Sequence, residues 1–188
     1  MLAALYLCYA ILKHTTSMPR RPGDPIMPAS VTFPPVDHDH RRCVDAMMAR
    51  VERLCAERRL RLTAQRRRVL EILADSHAAI GAYEILARLG GAVRAPAPIS
   101  VYRALDFLMQ HGLVHRVESL NAYVACTHVG GRHPAQFLVC STCRRVAELE
   151  CSSIEDAIAA GAEAASFAVT RPIVEIGGLC RACRSADA

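Results

Sequence analysis

The pattern Cys-x-x-Cys occurs twice, as Cys140-x-x-Cys143 and as Cys180-x-x-Cys183, and this repetition constrains the fold more than any other feature of the chain. One CxxC turn presents two sulfurs to a centre and cannot fill a tetrahedral shell alone. Two such turns, each beside a strand end, can bring four thiolates onto one zinc ion. The stretches FLVCSTCRRVAELEC (137–151) and VTRPIVEIGGLCRAC (169–183) must then fold into a single unit. A lone CxxC has a redox reading, but a redox pair opens a helix in a βαβ unit and neither motif has that setting. The four are read as a structural zinc site, with Cys8, Cys43, Cys55 and Cys151 as buried or incidental thiols.

Cysteine usage also bears on the compartment. The chain has nine cysteines, and its opening, MLAALYLCYAILKH, is shorter than the roughly 20 apolar residues that span a bilayer. It has no basic region before the apolar run and no clear small-residue cleavage site after it. A cytoplasmic protein with no membrane association is expected, where spaced cysteines serve as ligands more often than as disulfides. The formal charge of +5, from 23 Lys and Arg against 18 Asp and Glu, leans toward an acidic partner such as nucleic acid.

At 188 residues the chain fits one domain or two small ones, and its organisation favours two. Residues 1–41 are proline-rich after the apolar opening and are expected to form a disordered extension, or to reflect a start codon placed too far upstream. Within them DHDH (37–40) could bind a metal but reads more simply as a flexible surface pair. Residues 42–126 carry four helices. The first runs from near Cys43, with Val44, Met47, Met48, Val51, Leu54 and Cys55 at helical spacing. The second is capped by Thr63, the third follows Gly81, and the fourth is capped by Ser100. The period then changes to alternation in LVHRVESLNAYVAC, a hairpin. Four helices and one hairpin form a winged helix-turn-helix, the layout in which one helix enters the DNA major groove.

A hinge is expected at 127–134, followed over 135–184 by a second α/β unit. That unit has strands around 137–139 and 146–149, a helix opened by a Ser152-x-x-Glu155 capping box, and a last strand confined to an edge or bulge by Pro172. The fold class is therefore α+β. A hairpin turn centred on Leu120 and Asn121 would set His115 opposite Cys126, on one face, where the two could share an ion. His133 and Glu148 supply a further nitrogen and oxygen.

The segments RLTAQRRRVLEIL, PISVYRALDFLMQHGLVHRVESLNAYVAC, HPAQFLVCSTCRRVAELE and GLCRAC, in that order, resemble the ferric uptake regulator family, and within it the zinc-sensing branch. The resemblance covers about residues 43–184. It implies a homodimeric transcriptional regulator with an N-terminal winged helix and a C-terminal dimerisation domain. Cys140, Cys143, Cys180 and Cys183 match the family's structural zinc site, and His115, Cys126, His133 and Glu148 match the regulatory site of the zinc branch. Two zinc ions per subunit follow. His128 could stand in for His133, although the spacing to Cys140 favours His133. Tyr102 and Arg103 match the base-proximal positions of the recognition helix. Arg61, Arg66, Arg67 and Arg68 are candidate phosphate contacts.

The expected function is a zinc-responsive repressor that binds double-stranded operator DNA when zinc is loaded and controls zinc-uptake genes. Iron and peroxide sensors of the family carry a histidine-rich run before the first CxxC, where this chain has GGRHPAQFLVC, and the thiolate of Cys126 suits zinc better than ferrous iron. Those sensors remain the alternative within the family, and a cytosolic thiol-disulfide oxidoreductase is the alternative outside it. No HExxH or H-x-E…PCxxC pattern supports a zinc enzyme, and no small-molecule substrate is expected.

Overall fold

A computed structural model describes residues 30–31, 33, 38–90, 97–130 and 136–186. The first element, β1 (Ser30–Val31), pairs antiparallel with Glu150 and Leu149. No element was expected within 1–41. An edge pairing of this kind is made by backbone groups alone and needs no hydrophobic period, so the sequence pattern carries no trace of it.

Helix α1 (His40–Glu57) begins three residues before the expected Cys43, because the Asp39 carboxylate accepts the Arg42 N–H at 3.1 Å and so caps the first turn. The apolar stripe begins with Val44 and Met47, partly buried against the core, and is buried at Met48, Val51, Leu54 and Cys55. Helix α2 (Ala64–Ala74) is capped by Thr63 as expected, and α3 (Ala82–Leu89) follows Gly81. Helix α4 (Pro98–Gln110) differs from expectation at its start. Ala97 is the N-cap and Pro98 fills the first turn, where its missing N–H costs nothing. Ser100 lies inside the helix. Its hydroxyl donates to Ala97 O at 2.6 Å and accepts from Gln65 Nε2 at 2.7 Å, which ties α4 to α2. Val69, Leu70, Leu73, Ile85, Leu105 and Leu108 form the centre of this helical core.

The hairpin consists of β2 (Val114–Val117), a 3-10 turn (Glu118–Leu120) and β3 (Ala122–Ala125). Asn121 closes the turn at φ 45°, a left-handed conformation that Asn tolerates. This turn shifts the register: His115 faces Val124, not Cys126, and the Cys126 N–H bonds across to Leu113 O at 3.0 Å. Because side chains alternate with a period of two, the shift leaves His115 and Cys126 on one face as diagonal neighbours.

The second unit comprises β4 (Gln136–Cys140), β5 (Val146–Glu150), α5 (Ser152–Ala164), β6 (Val174–Gly178) and α6 (Arg181–Ala186). The sheet order is β1-β5-β4-β6, with β4 antiparallel to β5 and parallel to β6. Pro172 lies just before β6, an edge strand. The expected capping box does not form. Cys151 is the N-cap of α5 with no side-chain cap bond, and Glu155 instead accepts from Gln136 Nε2 at 3.3 Å. The buried Gln136 amide needs an acceptor, and that demand competes with the cap.

The two units pack against each other. Val117, Ala122 and Val124 of the hairpin share an apolar cluster with Ala79, Phe137, Val139 and Val146. Backbone bonds from Ala79 N to Arg144 O (3.1 Å) and from Val146 N to His77 O (2.9 Å) join the α2–α3 turn to the start of β5.

Candidate metal centres and nucleic-acid interface

Cys140 ends β4 and Cys143 lies in the β4–β5 turn, while the end of β6 leads into Cys180, just before α6, and Cys183 on that helix. Parallel pairing of Cys140 with Gly178 brings the two turns side by side. The turn itself is tight: Arg144 adopts φ 58°, and its N–H returns to Cys140 O at 2.9 Å. One sulfur from each of the four cysteines lies within 4.8 Å of the others. Zn–S bonds of about 2.3 Å at tetrahedral angles separate sulfurs by about 3.8 Å. The Cys143 and Cys180 Sγ atoms are 3.7 Å apart, far beyond a disulfide and at the separation a zinc shell requires. Backbone N–H groups of Cys143 and Cys180 pull the Cys140 thiol down to about 6, while its partner Cys143 is raised by burial. Four adjacent thiols cannot all ionise without a cation among them, so the donor set fits Zn2+.

A second group joins the two units. His115 on β2, Cys126 just past β3 and Glu148 on β5 place one ligand atom each within 4.8 Å of one another. The third position comes from the opposite domain: β5 pairs with β4, and Glu148 faces Phe137 in register. Glu148 is buried, yet its carboxyl is held below its ordinary range. Burial raises it, but the His115 charge, the His128 ring and the N–H and hydroxyl of Thr127 together outweigh that cost. Its oxygens accept from Thr127 N at 3.0 Å, Thr127 Oγ1 at 2.8 Å and His128 Nδ1 at 2.8 Å. The Cys126 thiol is pushed up to about 12, by burial first and then by the Glu148 charge. A nitrogen, a sulfur and an oxygen at this spacing suit a borderline divalent ion. His133 lies outside the described residues. His128 bonds the carboxylate from the side, and its Nε2 reaches Glu150 at 3.3 Å.

Sequence reasoning missed Thr127 and Glu175 as links between the units. The Glu175 carboxylate, on β6, accepts the N–H groups of Glu118 (2.6 Å) and Ser119 (2.9 Å) at the hairpin tip. No local spacing signals a contact across so many residues. Burial raises the Glu175 carboxyl, but the Ser119 and Glu118 donors win and hold it below its ordinary value of 4.5. A depressed carboxyl contributes stability that is complete above its unfolded value and is lost as pH falls through the folded one. Amide protection at Glu118 and Ser119 is therefore expected to persist at neutral pH and to be lost only as acidification passes the folded value, which lies below the ordinary 4.5. Glu175→Ala should remove it at every pH, as measured by hydrogen exchange. Equal protection in the variant at neutral pH would refute the contact.

The exposed face of α4 presents Ile99, Tyr102 and Arg103, with Tyr102 39% exposed. Of the candidate phosphate contacts, Arg66 is the most committed internally. Its guanidinium stacks 3.5 Å over the Phe107 ring, and its Nη1 donates to Arg61 O at 2.6 Å. Arg67 pairs with Glu52 and Glu71, and Arg68 with Glu71. Arg61 and Arg103 are exposed.

A winged helix packed on a small mixed sheet, with thiols and imidazoles gathered at the turns and at the junction, defines a two-domain winged-helix protein with metal-ligand clusters. The chain belongs to the ferric uptake regulator family, whose model matches residues 57–176. Within that family it is 39% identical, over 144 residues covering 76% of this chain and 84% of the relative, to the zinc uptake regulation protein of Escherichia coli (strain K12). A solved zinc uptake regulator complexed with zinc and DNA superposes with a TM-score of 0.71 at 38% identity, covering 77% of this chain and 97% of that one. Holo XcZur superposes at 0.69 with 42% identity, covering 75% and 99%.

Proposed function

We propose that the chain is a zinc-responsive transcriptional repressor that acts in the cytoplasm, binds operator DNA as a homodimer when zinc is loaded, and controls zinc-uptake genes. The observation that carries this reading is the His115–Cys126–Glu148 group, which takes two ligands from the hairpin and one from the second domain. His133 would complete it as a fourth. Zn2+ bound there supplies a bridge across the 127–134 hinge, and with the four-cysteine site this makes two ions per subunit. Clamped side chains hold the hairpin against β5 and so fix how the 42–126 unit sits on the 135–184 unit.

In a dimer, that restraint sets the separation of two α4 helices, which must match half-sites about 34 to 36 Å apart or a multiple. A second copy is the natural cover for the exposed apolar residues Phe167, Val169, Ile173, Ile176 and Leu179 around β6. Among the described residues no helix is long and apolar enough to cross a membrane. Shifting a conformational population from 1:99 to 99:1 takes about 5.5 kcal/mol, within the range of a zinc site completed in only one state. Operator DNA should tighten zinc binding by the same factor as zinc tightens DNA binding.

The testing experiment is operator binding along a buffered series of free zinc, with iron and manganese in parallel. Tight binding with zinc alone is expected, and a response to iron without one to zinc would transfer the reading to the iron branch. Arg103→Ala should cost about 1 to 3 kcal/mol and relax preference at one base position. Uniform weakening over all sequences would instead make Arg103 a phosphate contact.

A further inference from the structure

Three histidines outside both cysteine-containing groups converge where the chain enters α1. The His38 Nε2 atom lies 3.3 Å from His40 Nδ1 and 3.1 Å from His77 Nε2. The rings are tilted against one another, with centroids 4.7 to 5.3 Å apart, and one nitrogen from each lies within 4.8 Å of the other two. Zn–N bonds of about 2.0 to 2.1 Å at tetrahedral angles separate nitrogens by about 3.3 to 3.4 Å, close to both short distances. His40 makes its short contact through Nδ1, while its other ring nitrogen, Nε2, is buried and has no hydrogen-bond partner among the described residues, so no bond through Nε2 holds the ring away from an ion on Nδ1.

We infer that His38, His40 and His77 form a third metal site, which takes Zn2+ through three imidazole nitrogens and clasps the residues before α1 to the α2–α3 turn. Three neutral ligands leave a fourth position for water, the arrangement of an open site and not of a closed structural one. Imidazole donors suit zinc, copper and nickel over calcium or magnesium. All three residues are half-buried, so an ion can reach them from solvent.

The location gives the clasp a mechanical meaning. His77 O accepts the Val146 N–H at 2.9 Å, and Ala79 N donates to Arg144 O at 3.1 Å. The α2–α3 turn is thus already joined to the second domain, and an ion on His77 would attach the start of α1 to the same junction. The DHDH segment, which reads in sequence as a surface pair, is then two thirds of a site whose last ligand lies in another loop.

Equilibrium dialysis of the full chain against buffered Zn2+ tests the site without reference to DNA. His77→Ala, and separately the His38→Ala/His40→Ala double variant, should each bind one Zn2+ fewer per chain than the wild type. Combining His77→Ala with Cys126→Ala should remove two. In the Co2+-loaded protein the histidine variants should lose visible d–d intensity and keep the near-ultraviolet thiolate-to-cobalt bands unchanged. Wild-type stoichiometry in the histidine variants, or loss of thiolate bands in them, overturns the inference. Should His77→Ala fail to fold by circular dichroism, the double variant decides, because its residues lie at the very start of α1. Failure of the sensing reading would appear instead as zinc-independent operator binding with this stoichiometry intact.

Discussion

Cys140→Ser or Cys183→Ser is expected to unfold the second domain while the helical part of the chain stays folded. Structural zinc in small units carries roughly 10 to 16 kcal/mol of apparent binding free energy at neutral pH, comparable to or larger than the whole stability of an ordinary domain, about 5 to 15 kcal/mol. Beyond the buried strands β4 and β5, the 135–184 unit has little to set against that loss. Helix α5 buries no residue, and β6 is exposed over most of its length. The winged helix, by contrast, has its own core around Leu70, Leu73, Ile85, Leu105 and Leu108, each fully buried. Thermal unfolding followed by circular dichroism should show the wild type losing its upper transition on substitution or on treatment with a strong chelator. Size-exclusion chromatography should show the proposed dimer dissociating. An unchanged melting profile in both cysteine variants would mean that the four sulfurs do not hold a structural ion.

Cys126→Ala should have the opposite profile, with little change in fold and a large loss of response. The residue is small and buried, so truncation to Ala removes one sulfur and a modest contact area. Removing it takes away the one thiolate of the junction group. If zinc works as a switch of about 5.5 kcal/mol, the variant should lose at least a hundredfold of the zinc-dependent gain in operator affinity, as read by fluorescence anisotropy. The intact site should also release a proton on zinc uptake. Its thiol is pushed up to about 12, by burial and then by Glu148, so it is protonated at neutral pH, whereas the ligand must be a thiolate. Apparent zinc affinity should therefore rise about tenfold per pH unit above neutrality from this group alone, and that slope should disappear in Cys126→Ala. A variant with full zinc response would exclude Cys126 as a ligand.

Some of this architecture is written in short-range pattern. The helices α1 to α4 follow from apolar spacing, caps and glycines, each readable within a few residues. The two CxxC motifs are read the same way, since a spacing of three places both sulfurs on one turn. The errors also have local causes. Pro98 outcompeted Ser100 as the start of α4, and Gln136 took the Glu155 side chain that would have closed a capping box. The left-handed Asn121 moved the hairpin register, yet the period of two kept His115 and Cys126 on the same face.

Sequence alone thus determined the α+β order, the winged-helix layout and the pairing of the CxxC motifs, because each depends on neighbours within one or two turns of chain. Only the tertiary structure decided which distant groups meet. Glu148 came to His115 and Cys126 through the packing of β5 beneath the hairpin, Glu175 reached the hairpin tip from β6, and His77 approached His38 and His40 from another loop. Such meetings depend on how whole elements stack to bury apolar surface, an energy summed over many residues, and no single spacing along the chain records the result.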